Sequence, residues 1–309
     1  MDTQIGKVWK SAANIGGALV MLVLPFSPAR GDAVSDWNAI AVGMAASSEP
    51  SRAARELATV HAAMFETMNF IEGKYVPRFL VKQPAPLAPS GEAEAIWAAH
   101  YVLAQLYPEQ KAALDAALER SLAAFRDPET SSMARIWGSH LGGNVYAVSP
   151  PDRPSNGVSA LATAGNSKPS PLHASQEAFG TGIETWYSIA TRSIEERTLQ
   201  PIERARIYAL VSLAASKVYW LADEAKAGYG ITVPCVSCAV GAAIRVILKT
   251  EFGSANGTIA GRTYLTPVRN DADDLRSAEL RGDLDSAMAE EEMGTRIGLQ
   301  TLTYYGRIK

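Results

Sequence analysis

The amino-acid sequence predicts an all-α protein, and two observations support that prediction. Apolar residues recur at helical spacing in alanine-rich segments from residue 50 onward, as expected for helices that bury one face. No run alternates apolar and polar residues for long enough to build a sheet. The chain of 309 residues suffices for one large domain or two modest ones, and its net charge of −3 argues against a nucleic-acid partner.

The first 31 residues have the pattern of a secretory signal peptide. Lys7 and Lys10 form a basic region, Ile15 to Phe26 form the apolar core, and residues 29–31 offer a small-x-small cleavage site. The alternative is an uncleaved N-terminal anchor, although this core is short for a bilayer span. We therefore predict an exported protein, periplasmic or secreted, whose mature chain 32–309 is one domain without a stable membrane span.

A series of helices is predicted next. The first begins with Ser51 as its N-cap and ends at Gly73. A second begins after Ser90, and Pro108 and Pro128 open a third and a fourth. The apolar face of the first helix comprises Leu57, Val60, Met64, Met68 and Ile71. Together these segments predict a helical hairpin series.

Residues 149–175 interrupt this pattern. They are rich in Pro, Ser, Asn, Gly and Ala and show no periodicity, and the stretch is too long for an ordinary connection in a compact domain. It is predicted to be a flexible loop, which acts either as a lid or as a disordered surface excursion. A further helix is predicted around residues 184–196.

Two apolar helices separated by a short break form the predicted centre of the fold. The first starts at Pro201 and stops at Gly228 and Gly230. The second has Pro234 in its first turn and runs to Phe252, apolar almost all round, which predicts that it lies inside the fold. A helix start offers free N–H groups and a positive dipole end, and Lys226 precedes it. This is the outline of an anion site. The alternative is that Lys226 is a solvated lysine in a last helical turn, where cations are favoured.

Cys235 and Cys238 are the two cysteines of the chain. In an oxidising compartment a disulfide between them is expected, and it would fix the helix start. The Cys-x-x-Cys spacing at a helix start also fits a redox-active pair. A zinc site would need two more ligands at suitable spacing, so no metal site is predicted. Cys235 or Ser237 as a nucleophile would lack a histidine nearby in sequence to activate it.

Beyond Gly253, Asp271, Asp273 and Asp274 are expected to open a helix, and a last helix should run from about 284 to 303. Its three consecutive glutamates, residues 290–292, favour a solvated surface over a metal site, because adjacent positions do not share a helical face. His61, in the middle of the first helix, is predicted to be a hydrogen-bonded core or interface histidine rather than a ligand.

The run of residues 54–75, ARELATVHAAMFETMNFIEGKY, preceded by Trp37-Asn38-Ala39-Ile40, resembles the N-terminal helices of bacterial vanadium-dependent haloperoxidases, which belong with the type 2 phosphatidic acid phosphatases. Residues 186–226 resemble the family's helix that leads to its first oxyanion-binding motif. The resemblance covers most of the mature chain. It implies a helical bundle that holds vanadate or phosphate.

In that family the oxyanion is held by a Lys and an Arg from the first motif and by a Pro-Ser-Gly-His segment at a helix start. A further Arg is followed six residues later by a His, which bonds to vanadium or attacks phosphorus. By resemblance, the family's Lys falls on Lys226 and its second Arg on Arg276. Residues 234–237 stand where Pro-Ser-Gly-His would be.

The chain departs from this pattern at each remaining position. Val233 stands in place of the first Arg, Ser237 in place of the first His, and Gly282 in place of the last His; no histidine follows His173. Losing a nucleophile costs about 10⁶ in rate, and losing a general acid or base costs about 10² to 10⁴. The family's peroxidase or phosphatase chemistry is therefore not expected, nor is a vanadate cofactor.

These observations predict an exported member of the superfamily with a decayed oxyanion site formed by Lys226, Ser237 and Arg276. The leading hypothesis is a binding or assembly partner for a small molecule or a protein. The competing hypothesis is an enzyme that reuses the pocket for a cofactor-independent reaction, such as a rearrangement or cyclisation.

Overall fold

The computed structural model describes residues 32–80, 91–125, 127–148, 183–230, 233, 235–253 and 292–306. Within these ranges the chain is helical and contains no sheet, which confirms the all-α prediction. The predicted signal peptide at 1–31, the predicted loop at 149–175 and Arg276 lie outside the described residues. So do the predicted helix start at Asp271 and the glutamates at 290 and 291.

Nine α-helices are found in the described ranges. In chain order they are α1 (Ala33–Ala45), α2 (Pro50–Glu72), α3 (Glu92–Leu106), α4 (Lys111–Leu122), α5 (Pro128–Val148), α6 (Ile183–Glu195), α7 (Pro201–Tyr229), α8 (Val236–Phe252) and α9, of which residues 292–302 are described. Pro128 opens α5 as predicted. Pro108 opens a short 3-10 helix, Pro108–Gln110, and α4 begins after it.

The ends of α2 show how local chemistry sets the helix bounds. Gly73 terminates the helix in the left-handed conformation at φ 64°, which glycine adopts without a steric penalty. The prediction that Ser51 is the N-cap is wrong. The cap is Glu49, whose carboxylate accepts the N–H groups of Ser51 at 3.1 Å and Arg52 at 3.2 Å. Pro50 occupies the first helical position, where its fixed φ suits a helix start.

Helix α2 is the central helix of the fold. Most of its length is buried, and it packs against α3, α5 and α7. Its buried Glu56 carboxylate accepts hydrogen bonds from Tyr107 at 2.5 Å, Ser48 at 3.0 Å and Arg52 at 2.7 Å. A buried carboxylate needs such partners, because desolvation without them is costly. The contacts tie α2 to the turn before it and to the end of α3.

Close approaches at glycine bring two other helix pairs together. A Cβ at Gly138 of α5 would overlap the main chain of α3 at Glu94, and one at Gly294 of α9 would overlap the main-chain oxygen of Ala239 in α8. Gly298 lies one turn further along α9 and similarly faces Ala243. These helices therefore cross backbone to backbone, which a larger side chain would prevent.

One apolar core runs through the described helices. It includes Trp37 of α1, Phe65 of α2, Val211 of α7, Ile244 of α8 and Ile297 of α9, each at most 3% exposed. Residues 239–244 of α8 are all buried, so the middle of this helix lies inside the fold as predicted, whereas Lys249 and Thr250 near its end are exposed. Among the described helices, none combines the length and the apolarity that a bilayer span requires.

Candidate functional site

The two cysteines form a disulfide at the start of α8, as predicted. Cys235 is the N-cap residue and Cys238 is the third residue of the helix, with the two Cα atoms 5.3 Å apart. The Cys238 N–H donates to the Cys235 Sγ at 3.2 Å. The same N–H also lies 3.2 Å from the Cys235 carbonyl oxygen. The sulfur of Cys235 therefore acts as a side-chain cap that shares this N–H with the main chain.

Ser237 lies between the two cysteines, in the first turn of α8. Its side chain is half-buried, and its Oγ is 3.5 Å from the Cys235 Sγ. The structure thus brings this predicted site residue together with the disulfide. Cys235 itself is 1% exposed, whereas Cys238 is half-buried.

Lys226 lies in the last turn of α7, and its side chain is exposed. Its main-chain oxygen accepts the N–H of Gly230 at 3.2 Å. Gly230 ends the helix in the left-handed conformation, at φ 66°. A cation at this position interacts favourably with the negative end of the helix dipole. The placement matches the solvated lysine that the sequence analysis gave as an alternative to an anion ligand.

The helices that surround α8 contain no imidazole. Helix α8 packs against α6 and α7, and α9 approaches it through Gly294 and Gly298; none of the described residues of these four helices is a histidine. The histidines of the described part of the chain lie on α2, α3 and α5. Of these, His100 has its Nε2 2.8 Å from Asp115, and His140 is exposed and 3.3 Å from Asn144.

His61 of α2 is buried in the core between two tyrosine rings. It stacks on Tyr187 of α6 and Tyr208 of α7, with ring centroids 5.7 and 5.4 Å away. Its Nδ1 is 2.6 Å from the Ser212 Oγ, and Ser212 donates to the Tyr208 carbonyl at 2.7 Å. Because the hydroxyl proton of Ser212 is used there, the proton between the two side chains belongs to His61 Nδ1. This confirms the prediction of a hydrogen-bonded core histidine.

Burial makes this imidazole a neutral group. Burial lowers the pKa of His61 from 6.5 to about 3, because an imidazolium without water around it is strongly disfavoured. Its Nε2 is buried and makes no hydrogen bond to the described residues. The neighbouring Ser212 is fully buried and gives its proton to a carbonyl, so the pair does not have the arrangement in which a histidine activates a serine nucleophile. Its role is to join α2 to α7.

A second buried group ties α2 to the segment that follows it and lies beside the C-terminal Tyr305. The Glu66 Oε1 accepts the N–H groups of Arg78 at 2.8 Å and Phe79 at 3.2 Å. Burial raises the pKa of Glu66, and its hydrogen bonds oppose that shift. Tyr305 is buried beside it, and burial together with the neighbouring carboxylate raises the pKa of Tyr305 well above its ordinary value. Arg206 then holds the Tyr305 carbonyl at 2.8 Å.

Sequence reasoning did not identify Ser212 or Glu66. Each is a polar residue on a helical face that is otherwise apolar and buried. A polar residue at such a position could have indicated a buried hydrogen-bonding group.

No metal site was predicted from the sequence. Within the described ranges, no three His, Cys, Asp or Glu side chains are grouped as a metal site requires. Glu292 instead pairs on the surface with Arg296, one turn away, at 2.7 Å.

Comparison of the chain with protein-family models, curated proteins and solved structures returned no match.

Proposed function

We propose that this chain is an exported, non-catalytic member of the vanadium haloperoxidase and type 2 phosphatidic acid phosphatase superfamily, and that it acts as a binding or assembly partner. The membership is proposed from the sequence resemblance of residues 54–75 and 186–226. The loss of the ancestral chemistry is proposed from the start of α8, where the family would hold its oxyanion.

The state of that helix start is the observation that carries the proposal. The Cys238 N–H is shared between the Sγ and the carbonyl oxygen of Cys235, each at 3.2 Å, so one main-chain donor that a bound oxyanion would use already has acceptors within the chain. Helices α6 and α7, against which α8 packs, have no histidine. Within the described residues, the helices that contact the start of α8 therefore offer an oxyanion neither an imidazole ligand to vanadium nor an imidazole nucleophile.

The proposal of export rests on the N-terminal sequence and on the cysteine chemistry. The chain has two cysteines, and they are joined in a disulfide. Disulfides persist in oxidising compartments and are rare in the reducing cytosol. Fractionation of the native host followed by N-terminal sequencing tests this. We expect an exported chain that begins near Asp32, and a cytoplasmic chain that begins at Met1 would contradict export.

An activity assay tests the loss of chemistry. The mature chain, with its disulfide verified by mass spectrometry, is incubated with vanadate, peroxide and bromide, and separately with an aryl phosphate. We expect rates equal to those of a Lys226→Ala variant, because loss of the nucleophile alone costs about 10⁶ in rate. Turnover well above background that disappears in the Lys226→Ala variant would overturn the proposal.

The native mass of the protein tests the assembly role. Size-exclusion chromatography with light scattering is applied to the exported fraction before purification. We expect the chain to elute in a complex larger than its own mass. A monomer that converts a small molecule would instead support the competing hypothesis of an enzyme with a reused pocket.

A further inference from the structure

The two cysteines of the disulfide differ in their access to solvent. Cys235 is 1% exposed, whereas Cys238, three residues later in the first turn of α8, is half-buried. Exchange of a disulfide requires a thiolate to reach the sulfur that it attacks. The burial of the whole Cys235 residue excludes an incoming thiolate from its sulfur, which leaves Cys238 as the sulfur of the pair open to attack.

The same two sulfurs differ as leaving groups. The Cys235 Sγ accepts the N–H of Cys238 at 3.2 Å and lies 3.5 Å from the Ser237 hydroxyl. It also sits at the positive end of α8, a helix of 17 residues. A main-chain donor and the helix dipole at such a position stabilise a thiolate. Since exchange is faster when the departing thiolate is stabilised, Cys235 is the better leaving group.

We propose that the disulfide is a thiol-exchange site with a fixed direction, at which a small thiol attacks Cys238 and Cys235 departs. The thiolate of the small molecule forms a new S–S bond with Cys238 Sγ. The Cys235–Cys238 bond breaks, and its electron pair leaves on Cys235 as a thiolate. The product is a mixed disulfide on Cys238. No external oxidant or reductant beyond the thiol is required.

The reaction is reversible within the protein. The Cys235 thiolate remains close to the modified Cys238, because α8 holds the two Cα atoms 5.3 Å apart in the closed form. Its attack on the Cys238 sulfur restores the internal bond and releases the small thiol. The site therefore carries a thiol adduct in proportion to the concentration of free thiol. This property is independent of the proposed assembly role.

The first test uses the oxidised mature chain and reduced glutathione as the probe. The protein is incubated with the thiol, free thiols are trapped with N-ethylmaleimide, and tandem mass spectrometry assigns the two modifications. We expect glutathione on Cys238 and maleimide on Cys235, with at least about a tenfold preference. The same reaction in guanidinium is the control. Unfolding removes both the burial of Cys235 and the helix, so the preference of glutathione for Cys238 should disappear. Glutathione on Cys235, or an even division in the folded chain, would overturn the proposal.

In the first test, the adduct can be lost when the second cysteine attacks it and re-forms the internal disulfide. A second measurement removes that reaction. The variants Cys235→Ser and Cys238→Ser each retain one thiol, and each is mixed with oxidised glutathione. We expect the Cys235→Ser variant, which keeps the accessible Cys238, to gain the glutathione mass at least about ten times faster. Equal rates, or a faster reaction at Cys235, would show that accessibility does not direct the exchange and would overturn the proposal.

Discussion

The buried imidazole of His61 makes a quantitative prediction about acid stability. Its pKa falls from 6.5 in an exposed histidine to about 3 in the fold because of burial. The two rings that flank it, Tyr187 and Tyr208, have pKa values raised by burial, so they remain neutral throughout the acid range. The substitution that tests the effect is His61→Asn, since an asparagine amide retains a donor for Ser212 and does not titrate.

The sign and size of the change in unfolding free energy follow from proton linkage. Below pH 6.5 the unfolded chain binds a proton at residue 61 that the folded chain excludes, so stability falls as the pH falls. The loss begins near pH 6.5 and is complete near pH 3. At 1.36 kcal/mol for each pH unit, lowering the pH from 8 to 5 should cost about 2 kcal/mol of unfolding free energy through this residue.

Urea denaturation at pH 8 and pH 5, followed by far-ultraviolet circular dichroism, measures this cost. We expect the wild-type chain to lose about 2 kcal/mol more than the His61→Asn variant between the two values. His140 is exposed on α5, and His140→Asn is the matched control that should keep the wild-type dependence.

Two results would refute the reasoning. One is an equal pH dependence in the wild type and the His61→Asn variant. The other is a folded-state titration of His61 near 6.5, observed through its imidazole nitrogen resonances. Either would mean that water or an acceptor reaches the ring, in contradiction to its burial at 1% exposure.

Three further outcomes are expected from urea denaturation. Gly294→Ala should cost about 1–3 kcal/mol, because its Cβ would overlap the Ala239 main chain, whereas Gly228→Ala, with nothing within 4 Å, should be neutral or stabilising by up to about 1 kcal/mol. The raised pKa of buried Glu66 means that its contribution to stability is largest at low pH and is lost as the pH rises through the folded pKa, so Glu66→Gln should be less destabilising at pH 8 than at pH 5. Replacing both Cys235 and Cys238 by serine should leave the circular dichroism spectrum unchanged and cost about 2 kcal/mol, since the loop that they close is very short.

Helix ends were predictable where one residue decides them. Gly73 and Gly230 terminate their helices through the left-handed conformation, a property that glycine has in any context. The start of α2 was misassigned because two neighbouring residues offered caps. Pro50 fixed the first helical position one residue before the predicted cap, and the Glu49 carboxylate accepts the N–H groups of Ser51 and Arg52, so Ser51 lies inside the helix.

Of the candidate site, only the disulfide could be predicted from the sequence. With two cysteines in the chain, the pairing of Cys235 with Cys238 follows from their number and spacing. Their unequal burial depends on the packing of α8 in the fold, which sequence spacing does not encode. The same limit applies to His61: its helix and its buried position follow from periodicity, but its partner Ser212 lies 151 residues away.

The disulfide and the proposed loss of the oxyanion site have a common physical origin. The start of a buried helix must satisfy its N–H groups, since unpaired donors removed from water are costly. By resemblance, the family meets part of that requirement with a bound oxyanion. In this chain the Cys235 Sγ accepts the N–H of Cys238, so that donor is satisfied without a ligand. Opening the disulfide does not undo this arrangement, because the Cys235 thiolate is a stronger acceptor than the bonded sulfur. The helix start can therefore remain capped in both redox states, and an adduct on Cys238 is compatible with a folded α8.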